Sequence, residues 1–411
     1  MDKGPPGVYQ SSKTKDVNMT DSSLKLHTNI HPSSNQPIAH PQNSLSFREK
    51  NINDTLRYLN SILERSHITR VSNITGLDDI GIPVWQAIRP LSNYLCVAQG
   101  KGTSAAQAQV SAIMESLELY HLESIDILSH ISSYNNRSKA NDYLDPKTIH
   151  HGCFIHPDIH SQTLEWVKSV NLSDMSRIWV PKEALSLDMR TNKQHAHYFR
   201  QTSTGIAGGN SILEASCKAL LEVIERYTLQ YWKKENPTCI QHVALPITNP
   251  SINQLVKKIT MNQKQIRLHL INNQWSIPVY FCEIIDQNTH RNLGTCVGTG
   301  CHLDHSHAIE AAILEAVQTR LTIVAGSRDD NYATQYNNRH INQPLPITQG
   351  QFIQLTEKQL TNKYIKSENI RKELMRRFHN SGTTDILMVN HTKKHLKVPM
   401  TQILIPSLGA I

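Results

Sequence analysis

Acidic side chains recur in pairs at helical spacing in three separate stretches of the chain. The pairs are Glu115 with Glu118, Glu222 with Glu225, and Glu315 with the amide Gln318. Residues three apart lie on one face of an α-helix, so each pair points its oxygen atoms in one direction. Burying several carboxylates together is costly unless a cation neutralises them, and Mg²⁺ prefers oxygen ligands and bridges nucleotide phosphates. The pattern predicts a magnesium–nucleotide site if the three helices meet.

The middle stretch, Gly205–Trp232, carries the longest polar stripe. On a helix its polar side chains fall within one arc of about 160°; they are Asn210, Glu214, Lys218, Glu222, Glu225 and Arg226. Glu214 and Glu225 project about 20° apart, which suits metal binding. Glu222 and Arg226 lie further round, and Arg226 can neutralise one carboxylate. A divalent metal could neutralise the others.

All three stretches share one plan, which defines the elements that must position the acids. Each has a glycine-containing strand end, a short polar connection and a helix with an acid after roughly four turns. The separations are 13 residues from Gly102 to Glu115, 14 from Gly208 to Glu222 and 15 from Gly300 to Glu315. If three such helices pack together on a sheet, their polar faces converge. The alternative is that each pair belongs to a solvated face with local ion pairs.

Composition narrows the class of protein. The 411 residues contain 42 Lys and Arg against 34 Asp and Glu, giving a net charge of +8. This excess favours anionic partners such as nucleotides or acidic peptides. No motif interleaves aromatic and basic residues, so nucleic-acid binding is not expected. Seven cysteines without a CxxC pair indicate reduced thiols in a cytoplasmic protein. No signal peptide or apolar run of membrane-spanning length is evident.

The chain divides into two regions. Residues 1–45 are rich in Ser, Asn, Pro and Thr and are predicted to be disordered. Residues 46–411 alternate strand and helix patterns and are predicted to form one α/β (α+β) domain. Within it, 129–165 and 331–365 are predicted to be loop-like. The segment His150–His160 contains histidines and a cysteine, but not at zinc-finger spacing, which favours a polar loop.

The motifs together resemble the YcaO superfamily over about residues 66–411. They are RVSNITGLDDIGIPVWQAIRP, GKGTSAAQAQVSAIMESLE, GIAGGNSILEASCKALLEVIERY and GTGCHLDHSHAIEAAILEAVQTR with RDD. The resemblance implies a fold of internally repeated strand–helix units whose inner helices bind ATP and Mg²⁺ without a Walker loop. It also implies ATP-dependent activation of a peptide backbone amide. A nucleophile adds to the carbonyl, the amide oxygen is phosphorylated, and phosphate leaves.

In the first two of these motifs the resemblance assigns roles to five residues. Ser111 would contact phosphate, while Glu115 and Glu118 would bind Mg²⁺. Lys101 and Arg70 are basic candidates near the phosphates.

In the third motif the resemblance makes Asn210 a nucleotide contact and Glu214 a metal ligand. Glu222 and Arg226 would contact the nucleotide and act in catalysis. Glu225 is a further metal candidate.

The fourth motif contains one further predicted contact, and two positions of the chain depart from the family pattern. Gln318 in the Glu315 motif would contact the nucleotide. The arginine usual after the first acidic pair is Leu119 here, and an arginine often found before Glu315 is replaced in the Ala311–Ala312 region.

The resemblance leaves several reactions open. The proline-rich PxPxP tail of azoline-forming members is missing, since the last residues contain only Pro399 and Pro406. We therefore expect thioamidation, with azoline formation, amidine formation, ATP-dependent amide cleavage or a non-catalytic scaffold as alternatives. The expected substrate is a ribosomally made precursor peptide or a ribosomal protein. A TfuA-like or leader-binding partner protein and a homodimer are also expected.

Overall fold

The structure is a computed structural model. It describes residues 48–137, 142–149, 157–188, 198–234, 240–287, 293–330, 344–345, 352–361 and 366–409. The predicted disordered segment 1–45 lies outside the described residues, and so does most of the histidine-containing segment 150–160.

The described residues contain seven α-helices. They are α1 (Ile52–Asn60), α2 (Ala105–Glu123), α3 (Ile212–Lys234), α4 (Pro250–Thr260), α5 (His305–Ala325), α6 (Glu357–Leu360) and α7 (Ser367–Asn380). The three acidic pairs lie on α2, α3 and α5, as the helical spacing predicted. Ser104 caps α2 by accepting a hydrogen bond from the Gln107 backbone. None of the described helices is long and apolar enough to cross a membrane.

The described residues also contain fourteen strands, arranged in three sheets. In chain order they are β1 (Arg70–Asn73), β2 (Val84–Ile88), β3 (Val97–Lys101), β4 (Ser129–Ser133), β5 (Thr163–Asn171), β6 (Arg177–Pro181), β7 (Ile206–Gly208), β8 (Ile240–Val243), β9 (Lys264–Ile271), β10 (Val279–Asp286), β11 (Thr295–Cys301), β12 (Phe352–Ile353), β13 (Leu387–Asn390) and β14 (Met400–Leu404). The sheet orders are β1-β2-β3, β11-β10-β9-β8-β12 and β4-β5-β13-β14-β7, with β6 paired to β5. Only the β8–β12 pair is parallel among the described strands. This mixture of helices and sheets confirms the predicted α/β (α+β) class.

Each acid-bearing helix packs on a different sheet. Helix α2 packs on β2 and β3, α3 on β7 and β14, and α5 on β10 and β11. The single shared sheet that the sequence analysis considered is therefore not the observed arrangement. Each helix follows directly after a strand and folds back mainly onto the sheet that contains that strand.

Glycine fixes the close approach of helix and strand in two of the repeats. A Cβ atom at Gly100 would lie 1.9 Å from the backbone nitrogen of Ala112, and one at Gly298 would lie 2.1 Å from that of Ala316. Because backbone atoms cannot yield as a flexible side chain can, only glycine permits this packing. This explains why glycine in the strand and alanine in the helix recur together.

Two segments predicted to be loop-like contain regular structure. The segment 129–165 includes β4 and the start of β5, and the described part of 331–365 includes β12 and α6. Strand β4 is polar apart from Ile131, which is 71% exposed. Its hydrogen bonds to β5 define it as a strand, so the usual alternation of apolar and polar residues is absent there.

Candidate functional site

The paired acids converge on one cavity of about 800 Å³. Its walls come from α2, α3 and α5, together with the end of β3 and the segment after α5. The charged and amide side chains that line it are Lys101, Glu115, Glu118, Glu222, Glu225, Arg226, Glu315, Gln318, Arg328 and Asp330. Eight of these ten lie on segments whose spacing predicted a shared site, and the other two, Arg328 and Asp330, belong to the RDD segment. The solvated-face alternative does not hold for these pairs.

Negative charge exceeds positive charge in this cavity, with six carboxylates facing one lysine and two arginines. Burial raises the pKa of Glu118 to about 7, although the Gly208 backbone N–H opposes the shift. Burial and the nearby Glu315 raise the pKa of Glu225 to about 7. Burial also raises the pKa of Glu222 to about 8, against the attraction of Arg226. The cavity is therefore short of positive charge, which a divalent cation would supply.

Thr299 joins acids from two of the helices. Its hydroxyl lies 2.6 Å from Glu225 Oε1 and 3.1 Å from Glu315 Oε1. Lys101 Nζ donates to Glu315 Oε2 at 2.8 Å. Although burial raises the pKa of Glu315, the charge and hydrogen bond of Lys101 lower it overall. Thr299 thus contacts a carboxylate from α3 and one from α5 at the same time, a role that the sequence analysis missed.

Arg328 is a second residue whose place was not anticipated. Its guanidinium binds Asp330 through two contacts of 2.9 and 2.7 Å. Its Nη1 lies 3.8 Å from Glu115 Oε1. The neighbouring Asp329 accepts a 2.6 Å hydrogen bond from the Cys96 backbone, which ties this segment to the start of β3. The RDD sequence was the available signal, but nothing in its spacing gave it a role.

Arg226 and Gln318 reach the cavity as predicted. Arg226 Nε lies 3.7 Å from Glu222 Oε1, one helical turn away. Gln318 Nε2 donates to the backbone oxygen of Gln99 at 3.2 Å, so α5 is tied to β3. Both side chains offer hydrogen-bond donors to an anion in the cavity.

Asn210 and Glu214 do not line this cavity. They line a neighbouring cavity of about 260 Å³. The buried Glu214 accepts from Lys218 at 2.9 Å, from Asn210 at 3.0 Å and from the Glu49 backbone at 3.1 Å. Burial raises its pKa, but these contacts, chiefly with Lys218, lower it overall. Glu214 thus lies apart from the acids of the large cavity, and its role as a metal ligand stays a sequence-based prediction.

The reason is the rise of the helix. Glu214 and Glu225 project in nearly the same direction, but eleven residues separate them by about 16 Å along α3. One cation cannot contact both. Projection onto a helical wheel removes the axial distance that decides whether two ligands can meet.

Two more predicted contacts lie apart from the large cavity. Arg70 is the exposed first residue of β1, and Ser111 is half-buried on α2 one turn before Glu115. Neither lines the large cavity. The structure therefore brings together Lys101 and the later residues of each motif, and leaves the earlier residues outside.

A protein-family model matches residues 99–409 of this chain. Its description is YcaO cyclodehydratase, ATP- and Mg²⁺-binding. The matched part covers most of the chain and contains α2, α3 and α5, with all ten charged and amide residues of the cavity.

Two related sequences extend the comparison. An uncharacterized protein of Mycobacterium tuberculosis is 32% identical over 281 residues, which are 67% of this chain and 62% of that protein. The chain thus matches less than two thirds of this relative's length. An uncharacterized protein in the tfuA 3′ region of Rhizobium leguminosarum bv. trifolii is 31% identical over 273 residues, which are 64% of each chain.

A solved structure shares the fold. The structure of YcaO from Methanopyrus kandleri bound with AMPPCP and Mg²⁺ superimposes with a TM-score of 0.68 and 19% identity. The superposition covers 88% of this chain and 92% of that one. At this identity the likeness concerns the fold, which it confirms.

Proposed function

The chain belongs to the YcaO family, and on that premise we propose that it is an enzyme that uses ATP and Mg²⁺ to modify a peptide backbone amide. The observation that carries the proposal is the large cavity, where carboxylates from three helices leave negative charge uncompensated. Its donor set is made of oxygen atoms, which fits Mg²⁺. Cationic and amide side chains beside the acids fit a nucleotide's phosphates.

We propose thioamidation as the specific reaction. Sulfide adds to the amide carbon. The former carbonyl oxygen of the amide then takes the γ-phosphoryl group of ATP, and ADP departs. The C–O bond then breaks, phosphate departs and a C=S bond forms. Peptide amide, hydrosulfide and ATP thus become thioamide, ADP and phosphate. Phosphoryl transfer of this kind depends mainly on positioning and charge neutralisation.

The residues of the cavity divide into two groups under this proposal. Glu115, Glu118 and Glu225 hold Mg²⁺, with Glu315 as a further ligand placed by Thr299. When bound, Mg²⁺ supplies positive charge beside the transferred phosphoryl group.

Cationic and amide side chains form the second group. Lys101, Arg226, Gln318 and Arg328 bind and orient the phosphates, since each places a donor in the cavity. Once Mg²⁺ binding has ionised Glu222, its charge keeps Arg226 directed into the cavity, at 3.7 Å. The catalytic pair of the sequence analysis, Glu222 and Arg226, is retained on this basis.

Residues outside the cavity act on it indirectly. Glu214 holds Lys218, and Lys218 Nζ also donates to Gly208 O at 3.1 Å. The Gly208 N–H donates to Glu118 Oε1 at 2.9 Å. We therefore propose that Glu214 and Asn210 position Glu118 through β7. Ser111 and Arg70 remain proposed phosphate contacts only if α2 or β1 shifts on binding.

Thioamidation and azoline formation each have one supporting observation. The Rhizobium relative in the tfuA 3′ region supports a TfuA-like partner that delivers sulfur, and hence a thioamide. The family description as a cyclodehydratase supports azoline formation, in which a Cys, Ser or Thr side chain is the nucleophile. Amidine formation and amide cleavage use the same activation with an amine or water.

The setting is also proposed. Residues 46–411 form the catalytic domain, which acts on a ribosomally synthesised peptide or a ribosomal protein in the cytoplasm, as a homodimer. The five cysteines in the described residues are unpaired, which agrees with a reducing compartment.

Mass spectrometry of cellular peptides tests the reaction. Cells that express the wild-type chain are compared with cells that express Glu225→Gln, after growth with ³⁴S-labelled sulfide. A thioamide adds about 16 Da with natural sulfur and about 18 Da with ³⁴S, whereas an azoline loses about 18 Da whichever sulfur isotope is supplied. A peptide with the thioamide mass increase that appears only with the wild type supports thioamidation, and a −18 Da peptide replaces it with azoline formation. If neither peptide differs and the purified chain does not hydrolyse ATP, the scaffold alternative is correct.

A further inference from the structure

A second group of metal-binding side chains lies outside the large cavity, where β11 leads into α5. His302, Asp304 and His307 each offer a ligand atom, and these atoms lie within 4.8 Å of one another. His302 and Asp304 are buried, with side-chain exposures of 6% and 3%, and His307 is 20% exposed. None of the three lines the large cavity.

The orientation of Asp304 is unusual for its position. It is the N-cap residue of α5, where an aspartate normally accepts a hydrogen bond from the first turn. Its side chain makes no such bond with the described first turn. Instead Oδ2 lies 3.8 Å from Nδ1 of His302 and 3.8 Å from Nδ1 of His307. These distances are too long for hydrogen bonds.

The distances are close to those between the ligands of one tetrahedral ion. Ligands with bonds of about 2.0–2.1 Å to zinc lie about 3.4 Å apart. Each imidazole must approach the Asp304 oxygen by about 0.4 Å, and the two imidazoles, whose ligand atoms lie within 4.8 Å of each other, must approach by up to about 1.4 Å to share one coordination sphere. We propose that His302, Asp304 and His307 bind one Zn²⁺ ion.

The donor types favour zinc over magnesium. Two imidazole nitrogens and one carboxylate oxygen suit a borderline ion such as Zn²⁺, whereas Mg²⁺ takes oxygen ligands and several waters. The exposed edge of His307 leaves room for water as a fourth ligand. This site and the carboxylate cavity therefore select different metals.

Zinc binding must displace a hydrogen bond that His302 already makes. His302 Nδ1 accepts from the Asp304 backbone N–H at 2.9 Å. A hydrogen bond of this kind contributes little compared with coordination to a structural zinc. Binding through Nδ1 is therefore favoured despite the lost bond.

The position of the site suggests a structural role. His307 lies eight residues before Glu315, or about 12 Å along α5. An ion held by His302 from the end of β11 and by His307 from α5 would fix the angle at which the helix leaves the strand. That angle places Glu315 and Gln318 in the large cavity.

Cobalt(II) is the probe for this site, because tetrahedral Co²⁺ absorbs visible light far more strongly than octahedral Co²⁺. The full-length, metal-stripped protein is titrated with Co²⁺ in excess Mg²⁺, which occupies the carboxylate cavity. We expect intense visible bands that saturate at one equivalent. They should disappear in His307→Gln and Asp304→Asn, and persist in His379→Gln, which removes an exposed histidine on α7.

Two further measurements test the zinc site independently of the proposed enzymatic function. Glu225→Gln should keep the cobalt bands, since that residue belongs to the other cavity. One equivalent of Zn²⁺ should raise the Tm of the wild type and of His379→Gln in excess Mg²⁺, and this readout needs no folded ligand variant. Absence of intense bands from the wild type, their survival in both ligand variants, or an unchanged wild-type Tm would each overturn the zinc site.

Discussion

Raising the pH from 7 to 8.5 is expected to tighten Mg²⁺ binding to the large cavity. The pKa values of Glu118 and Glu225 are about 7, and that of Glu222 is about 8, because burial disfavours their charged forms. At pH 7 these groups together hold about two protons. Magnesium favours the ionised carboxylates, so it must displace those protons when it binds.

The magnitude follows from the three pKa values. At pH 7 ionising Glu222 requires about 1.4 kcal/mol, and ionising Glu118 and Glu225 requires about 0.4 kcal/mol each. At pH 8.5 the combined requirement falls to about 0.2 kcal/mol. The difference of about 2 kcal/mol corresponds to an affinity about 30-fold higher at pH 8.5.

The same three carboxylates determine the direction in which folding stability changes with pH when no metal is bound. Their pKa values are raised above the unfolded value of 4.5. The folded state therefore binds more protons than the unfolded state between pH 4.5 and 8, and the free energy of unfolding decreases as pH rises through this window. Saturating Mg²⁺ should remove most of that decrease.

Calorimetric titration with Mg²⁺ measures the effect. Titrations at pH 7 in buffers of different ionisation enthalpy should report release of about two protons. In Glu222→Gln the group with the highest pKa is absent, so the affinity should change only about fourfold over the same pH range. Equal affinity at pH 7 and 8.5, or binding without proton release, would refute the reasoning.

Three substitutions test individual contacts. Thr299→Val removes the hydroxyl shared by two carboxylates and should weaken Mg²⁺ binding about tenfold in calorimetry, whereas Thr295→Val on the same strand should not; equal effects would discount the bridge. Gly298→Ala places a Cβ against backbone 2.1 Å away and should lower the free energy of unfolding in urea by about 3 kcal/mol; Gly76→Ala, with no atom within 4 Å, should be near neutral, and tolerance of both changes would contradict the packing argument. Lys218→Met leaves a buried carboxylate without its ammonium partner and should destabilise the fold by about 3 kcal/mol in the same assay; an unchanged midpoint would show that the ion pair is not needed.

Much of the site could be predicted because its signals are periodic and repeated. Spacings of three residues placed Glu115 with Glu118 and Glu222 with Glu225 on shared faces. Recurrence of glycine before each helix indicated equivalent units. Such repetition identifies equivalent positions in space even when the order of the sheets is unknown, so convergence was correct although the single sheet was not.

The features that local spacing did not reveal have physical causes. Glu214 matched Glu225 in angle, but the two differ by about 16 Å in height, and Lys218 already neutralises Glu214 at 2.9 Å. Thr299 was missed because its partners come from two other elements, α3 and α5. Contacts between elements depend on tertiary packing, which local spacing does not encode.

Strand β4 illustrates the same limit at the level of secondary structure. Its residues SHISS carry no apolar alternation, and Ile131 points to solvent. Hydrogen bonds to β5 specify the strand. An edge strand that is specified by hydrogen bonds to its neighbour shows little strand pattern in its own sequence.

The most direct test of the account is calorimetric binding of the ATP analogue AMPPCP with and without Mg²⁺. The account predicts that the wild type binds the analogue only when Mg²⁺ is present. Binding should be lost in Glu225→Gln and retained in the exposed-site control His379→Gln, with unchanged circular dichroism in both. Equal binding without Mg²⁺, or undiminished binding by folded Glu225→Gln, would contradict the claim that carboxylates of three helices hold a magnesium–nucleotide complex.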